Sequence, residues 1–350
     1  MLVTTPLALS IKKALPQARV DYLVFQGTQA VLAKNPYVDR VHAIANGSKS
    51  PANALRLLRR YDFALSTNPS DRNTLFAALA GQRSLGLTGR GRQQWWKRLV
   101  LDVSCDYDDS RHAVQNMLTL LEPLGIPKIA ELTVAFDRDD IACAGQRLPD
   151  SGYVLLHPYS RGRYKYWPAE RWGALAALIQ QTGQVPVFTI TGDPADRELL
   201  ATILSHAPPG CRSLAEPLTL NQLAAALHGC AAYVGIDTVV THIAAAVGAR
   251  TVALLGPTMT RYWAPWPNGC RELSPFAANR GVQRVGNVTV LQQDWPCTPC
   301  NQTVCGLTGG AARCLEQIEP EAVLQELLLP RWTTPGKSEP DWRHRDDHEG

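Results

Sequence analysis

The strongest constraint on this chain is a repeated alternation of short β-type runs with helical stretches. Residues 19–25, 38–44 and 61–66 read as strands, and residues 6–15, 52–60 and 71–79 as helices. After residue 152 the pattern resumes, with strands at 153–157, 185–190, 231–235 and 251–255 and helices at 169–181, 194–204, 219–227 and 238–247. Strands linked through helices lie parallel, and the helices then cover both faces of the sheet. The expected class is therefore α/β with doubly wound sheets. Thr5 followed by Pro6 suits a helix start, a capping hydroxyl before a proline that needs no N–H partner there. A helix opening so near Met1 has no strand before it, so the first strand of the expected sheet is missing.

At about 150 residues per domain, 350 residues predict two domains. The turn-rich segment Leu148-Pro149-Asp150-Ser151-Gly152 marks the boundary. This predicts a Rossmann-like domain over 1–148, a second over 149–330, and a cleft between them. Beyond residue 330 only Trp332 and Trp342 are large apolar groups among many charges, so 331–350 is expected to be a disordered tail.

Thirty-five Lys and Arg against 31 Asp and Glu leave a net charge of +4. This favours an anionic partner and is too small to indicate nucleic acid. The small-residue run at 243–249 contains Gly248 and stops at Arg250, so no membrane span is expected. The opening residues lack the basic flank and apolar centre of a secretory signal, which points to the cytoplasm. Of nine cysteines, Cys105, Cys143, Cys211, Cys230 and Cys270 stand apart, against a disulfide framework.

Three strand-to-helix junctions carry the chemistry. In 157–168, Ser160, Arg161, Gly162, Arg163 and Lys165 combine a hydroxyl, three cations and a glycine, a set suited to a diphosphate; a solvated basic loop is the plain alternative. At 192–197, Asp193 before Pro194 reads as a helix cap, whereas Asp196 can reach a ribose diol or serve only the helix dipole. At 235–242, Asp237 and Thr238 fall at a helix start, with His242 one turn on. The glycine-rich 86–92 precedes Trp95-Trp96-Lys97-Arg98 and reads as an exposed loop. There Arg90, Arg92, Lys97 and Arg98 would meet an anionic acceptor or membrane surface, or simply solvent. Cys297, Cys300, Cys305 and Cys314 could hold zinc, but their later spacings fit no common module, and packed reduced thiols explain them equally.

Laid in order, these motifs resemble glycosyltransferase family 9, the ADP-heptose:lipopolysaccharide heptosyltransferases. The match includes Thr4-Thr5-Pro6, the run from His157 to Trp172 with Lys165 and Trp167-Pro168, the turn at Gly192, and the element from Val234 to His242. It continues through 253–258, the cysteine cluster and Ile318-Glu319-Pro320-Glu321, covering the chain to about residue 328. The resemblance implies a GT-B fold, acceptor binding mainly by the N-terminal domain, nucleotide-sugar binding by the C-terminal one, and inversion at the anomeric carbon. It further implies that Ser160 and Lys165 meet the diphosphate, Asp196 the ribose, and Asp237, Thr238 and His242 the phosphates and sugar. No cofactor is implied, because fixed cations and a helix N-terminus can neutralise the leaving diphosphate without a metal ion. The expected partners are an ADP-sugar and an anionic lipopolysaccharide core, met at the cytoplasmic face of the inner membrane. The chain departs from the family at Val239-Val240, where Gly-Pro is usual and bulkier residues are expected to crowd the sugar pocket, and at Asp196, where glutamate is usual. The family's general-base aspartate would fall immediately before Met1. A relative that binds nucleotide-sugar or glycan without transferring it is the alternative.

Overall fold

In the computed structural model, residues 1–45, 57–89, 91–150, 152–214, 216–309 and 312–330 are described. They divide into two compact units, Met1–Thr133 with Arg271–Ser274, and Val134–Cys270 with Pro275 onward. The division precedes the segment 148–152 that was expected as the boundary. Helix α5 (Arg138–Gly145) belongs with the second unit, where Asn221 Nδ2 donates to the carbonyl of Ala135 at 2.6 Å and the Phe136 and His228 rings stack at 5.5 Å. The excursion 271–274 joins the first unit because His112 N–H donates to Leu273 O and Gln115 Nε2 to Glu272 O. Most of the helix expected at 52–60, and all of 331–350, lie outside the described residues.

The first unit opens with α1 (Thr5–Ala14), followed by the parallel pair β1 (Asp21–Phe25) and β2 (Arg40–Ile44). Thr5 does not cap its helix: its hydroxyl donates to Leu2 O and accepts the N–H of Thr133, while Thr4 occupies the cap position. Then come β3 (Tyr61–Ser66), α2 (Asp71–Ala80), β4 (Gly81–Thr88), α3 (Trp95–Val100), β5 (Val103–Asp106) and α4 (Ala113–Leu118). Strands β3, β4 and β5 form a second parallel sheet in that order. Among the described residues β1 and β3 do not pair, so this unit carries two short sheets where one doubly wound sheet was expected. The glycine-rich 86–92 is only partly a loop. Gly86 to Thr88 complete β4, with Leu85 and Leu87 buried on one face of a parallel strand and Ser84 and Thr88 buried on the other.

The second unit holds a seven-stranded sheet built from β6 (Tyr153–His157), β7 (Val185–Phe188), β8 (Arg212–Ser213), β9 (Ala232–Ile236), β10 (Thr251–Leu255), β11 (Gly281–Val285) and β12 (Val288–Gln292). Its order is β11-β12-β10-β9-β6-β7-β8, all parallel except the β11–β12 hairpin at the edge. From β6 the chain winds outward through β7 to β8, then returns to place β9 on the other side of β6. The switch point thus lies between β6 and β9. The linking helices are α6 (Ala169–Gln181), α7 (Pro194–His206), α8 (Leu220–Gly229) and α9 (Val239–Ala246), with α10 (Thr260–Trp263), α11 (Arg313–Glu316) and α12 (Pro320–Leu328) after them. Asp193 caps α7 through the Ala195 N–H, and Thr219 and Gln222 form a capping box on α8.

Its core is organised by tryptophan. The ring of Trp167 meets that of Trp172 edge-on at 5.0 Å, and Trp172 meets Phe188 at 6.4 Å. The Trp167 indole N–H donates to Ile318 O, and Arg171 pairs with Glu319, which fastens the start of α12 against α6. Deleting the fully buried Trp172 side chain removes a large apolar group from between Trp167 and Phe188 and leaves a cavity. Trp172→Ala is expected to lower unfolding free energy by about 3–5 kcal/mol, measured by urea titration of the intact chain. A loss under 1 kcal/mol would contradict this account of the core.

His157 ends β6 inside this core, with Nδ1 2.7 Å from the Thr189 hydroxyl and its ring edge-on to Tyr159 at 5.4 Å. Burial pushes its pKa down to about 3, so the unfolded chain takes up a proton near pH 6.5 that the native state refuses. Stability is therefore complete above pH 6.5 and falls as pH drops towards 3, by about 2 kcal/mol at pH 5 from this residue. In His157→Gln, the dependence of unfolding free energy on pH between 6 and 4 should be shallower by about 1.4 kcal/mol per pH unit. An unchanged slope in urea midpoints would mean that His157 accepts its proton while folded.

Candidate functional site

Four adjacent parallel strands, β10, β9, β6 and β7, send their carboxyl ends to one edge of the second unit, and each is followed by a loop bearing a polar side chain. Lys165 follows β6 and Asp237 follows β9. Their ion pair, Nζ to Oδ2 at 2.6 Å, bridges the switch point itself. The Thr258 hydroxyl, after β10, donates to the same Oδ2 at 2.6 Å, so the carboxylate is held from two sides. Beyond Lys165, Tyr166 O–H donates to Asp196 Oδ1 and Thr191 O–H to Asp196 Oδ2. Side chains from four strand ends thus form one row.

The local sequence explains each position. Residues 163–165 make a single 3-10 turn that projects the Lys165 ammonium back over the sheet edge, 5.7 Å from the centre of the Tyr164 ring. A Cβ at Gly162 would collide with that ring, so this glycine makes room for Tyr164. Ser160 accepts the Gly162 N–H and stabilises the turn. On β9, a Cβ at Gly235 would strike the phenol of Tyr233, whose hydroxyl is 2.9 Å from Thr241 Oγ1. Strand and helix are thereby tied at the point where α9 begins.

Thr238 takes the cap position of α9 with extended backbone, yet its side chain makes no capping bond. The first N–H groups of this helix therefore keep their capacity for an anion, assisted by the positive end of the helix dipole. His242 follows one turn in. Its Nδ1 is sealed from solvent without a hydrogen-bond partner, and burial lowers its pKa, so the ring is neutral at physiological pH. A cation at Lys165, a helix N-terminus at Thr238 and hydroxyls at Ser160 and Thr258 are an arrangement that can receive a diphosphate and stabilise charge building on it.

The sequence singled out Ser160, Lys165, Asp196, Asp237, Thr238 and His242, and the structure sets all six along the carboxyl ends of β6, β7 and β9. It missed Thr258, Trp263, Asn301 and Gln302, which line a pocket beside the Lys165–Asp237 pair. Thr258 stood in the sequence only as the end of the 253–258 motif, and Asn301 and Gln302 only within the cysteine segment, with no role assigned to any of them. Val239, 45% exposed, and the buried Val240 are not among the residues lining that pocket. Arg161 and Arg163 are solvent-exposed neighbours without a place in the row.

The basic cluster of the first unit needs correction. Lys97 is 1% exposed, paired with Asp71 at 2.8 Å and bonded to Pro69 O, so it is no surface cation. Arg98 pairs with Asp106 at 2.6 Å and Arg92 is exposed, while Arg90 lies outside the described residues. What α3 does present to solvent is apolar, Trp95 and Leu99, at 64% and 75% exposure. Among the described residues no helix is long and apolar enough to cross a membrane.

The four clustered cysteines do not converge as ligands. Among the described residues no three of His, Cys, Asp and Glu are grouped to hold a metal ion. Cys314 is buried and Cys297 exposed. Backbone N–H groups of Arg313, Leu307 and Thr308 around the Cys305 sulfur bring its pKa down to about 7. All nine cysteines are free thiols.

Known proteins resemble this chain in sequence and in fold. Residues 53–281 match the glycosyltransferase family 9 (heptosyltransferase) model. Lipopolysaccharide heptosyltransferase 3 of Escherichia coli K12 is 27% identical over 287 residues, covering 76% of this chain and 82% of that protein. Among solved structures, the family 9 glycosyltransferase of Veillonella parvula superposes with a TM-score of 0.75 at 20% identity, over 93% of both chains. The E. coli heptosyltransferase WaaC with ADP gives 0.67 at 19% identity, over 93% of this chain and 94% of that one. The two units with their parallel sheets are those of a GT-B enzyme, and the family match spans both. The chain is a glycosyltransferase and belongs to glycosyltransferase family 9.

Proposed function

We propose that this enzyme transfers a heptose from an ADP-sugar, with inversion, to the inner core of lipopolysaccharide. The observation that carries the reading is the Lys165–Asp237–Thr258 bridge over the switch point, set beside the open N-terminus of α9. Family membership supports the class of reaction, and relatives named for lipopolysaccharide support the acceptor. In the reaction, an acceptor hydroxyl oxygen attacks the anomeric carbon from the face opposite the diphosphate. The bond from that carbon to the diphosphate oxygen breaks, its electron pair leaves with ADP, and the hydroxyl proton passes to a base. No carboxylate of the described residues is assigned as that base.

In this reading the ammonium of Lys165 exchanges its carboxylate for the β-phosphate as negative charge grows there. Asp237, still held by Thr258, keeps the lysine stem aimed. Asp196 offers its carboxylate to the ribose diol, and neutral His242 lies beside the phosphates. Arg92 and the exposed Trp95 and Leu99 of α3 would rest the first unit on an anionic, membrane-held acceptor.

Calorimetry with nucleoside diphosphates tests the donor: ADP should bind more tightly than UDP or GDP, and failure of all three to bind would end this reading. Lys165→Ala leaves the Asp237 carboxylate facing the diphosphate without its cation, and a charge-assisted contact of about 1.5–3 kcal/mol is lost. ADP affinity or turnover should drop by about ten- to a hundredfold; unchanged values would return Lys165 to the solvated surface. Association with vesicles containing anionic lipid should weaken as salt rises, since exposed charges are screened over about 8–10 Å. Salt-independent binding, or none, removes the membrane contact from the proposal.

A further inference from the structure

We infer that the cysteine-rich segment after β12 forms the wall of the donor site that reads the hydroxyl groups of the transferred sugar, through Asn301, Gln302 and the nearby Trp263. This rests on the proposed donor reading and adds the residues that choose the sugar. The pocket they line, together with Lys165 and Asp237, encloses about 280 Å³. That lies at the lower end of the range of about 300–1,000 Å³ usual for small-molecule sites, with room for a sugar ring.

The wall is built with a fixed orientation. Asn301 adopts a left-handed backbone, φ 54°, which few residues other than glycine and asparagine accept. It is held there because its N–H donates to Pro257 O at 2.8 Å and its Oδ1 accepts the Met259 N–H at 3.1 Å. Gln292 Nε2 fastens the same β10 loop from the other side, donating to Gly256 O and Thr258 O. A residue held this firmly by two hydrogen bonds has a placed side chain. With Oδ1 committed, the Nδ2 group of Asn301 is the donor left over, and among the described residues it has no partner. The Gln302 amide, free of hydrogen bonds among the described residues, adds a donor and an acceptor.

Trp263 completes the chemistry. Its ring and that of Tyr262 meet edge-to-face at 4.7 Å, and Trp263, 42% exposed, lines the pocket. An aromatic face for C–H groups beside neutral amides for hydroxyls suits a pyranose. The ammonium of Lys165, which lines the same pocket, suits a phosphate.

The test compares ADP with ADP-heptose by calorimetry on the full chain and on Gln302→Ala, Asn301→Asp and Trp263→Ala. Asn301→Asp keeps the acceptor for Met259 but replaces the free donor by an acceptor. Each variant should bind ADP within about twofold of the parent and ADP-heptose about three- to tenfold more weakly, the worth of one or two neutral contacts. Gln302→Ala removes no intramolecular bond seen among the described residues, so it decides the matter should Asn301→Asp unfold, as read from its melting temperature. Unchanged ADP-heptose affinity in Gln302→Ala and Trp263→Ala overturns the inference while leaving the donor reading intact. Equal weakening towards ADP and ADP-heptose also overturns it, because the pocket would then hold the nucleotide. A parent chain that binds neither ligand overturns the donor reading and this inference with it.

Discussion

The ion pair of Lys165 with Asp237 occupies the place where the winding of the second sheet reverses. Along the rest of the run β10-β9-β6-β7-β8, neighbouring strands are joined through the helix between them. Here β6 and β9 are neighbours without being consecutive, so their following loops diverge and leave a crevice at the carboxyl ends. Placing opposite charges there is a poor way to add stability, since desolvation cancels much of the attraction. It is a good way to hold a cation aimed at a crevice until an anion replaces its partner. The second hydrogen bond to Asp237, from Thr258, keeps the carboxylate in place during such an exchange.

Everything around the pair acts to keep these loops rigid. The tryptophan core under β6 and β7 fixes the strand ends from below, and the Tyr233–Thr241 contact fixes α9 relative to β9. Gly235 and Gly162 are needed for the space they leave to a tyrosine, not for unusual backbone angles. Burial keeps His157 and His242 uncharged, so the row of strand ends carries the positive charge of Lys165 without two further cations behind it. That concentrates the favourable potential at one point, where a diphosphate oxygen gains most from it.

The first unit is built on thinner means. Its strands fall into two small sheets, and one basic residue expected at its surface, Lys97, instead holds the start of α2 to α3 by pairing with Asp71. The aromatic and aliphatic side chains that α3 exposes in its place make the surface there more apolar and less cationic than charge counting implies. In the proposed function this adds partial insertion of an aromatic ring to the electrostatic attraction that Arg92 supplies towards a membrane-held acceptor.

How much of this was legible in the chain depends on the range of the interaction responsible. The β-type runs at 61–66, 153–157 and 251–255, the helix at 169–181 and the cap at Asp193 are set by local periodicity and local hydrogen bonding, and they stand in the structure where the residues place them. Lys165, Asp237 and His242 were legible because junctions between strand and helix are local too, and because in an open parallel sheet every such junction opens on the same edge. The sequence could not tell that β4 runs through a glycine-rich segment, that Lys97 is buried, or that Thr5 bonds to Thr133. Each of these is decided by a partner distant in sequence. Nor could it bring Asn301 and Gln302 to Lys165, since that meeting depends on the order of β12, β10, β9 and β6 across the sheet. Periodicity and capping are written residue by residue. Strand order, and with it the wall of the pocket, is settled only when distant segments compete for the same neighbours in a packed core.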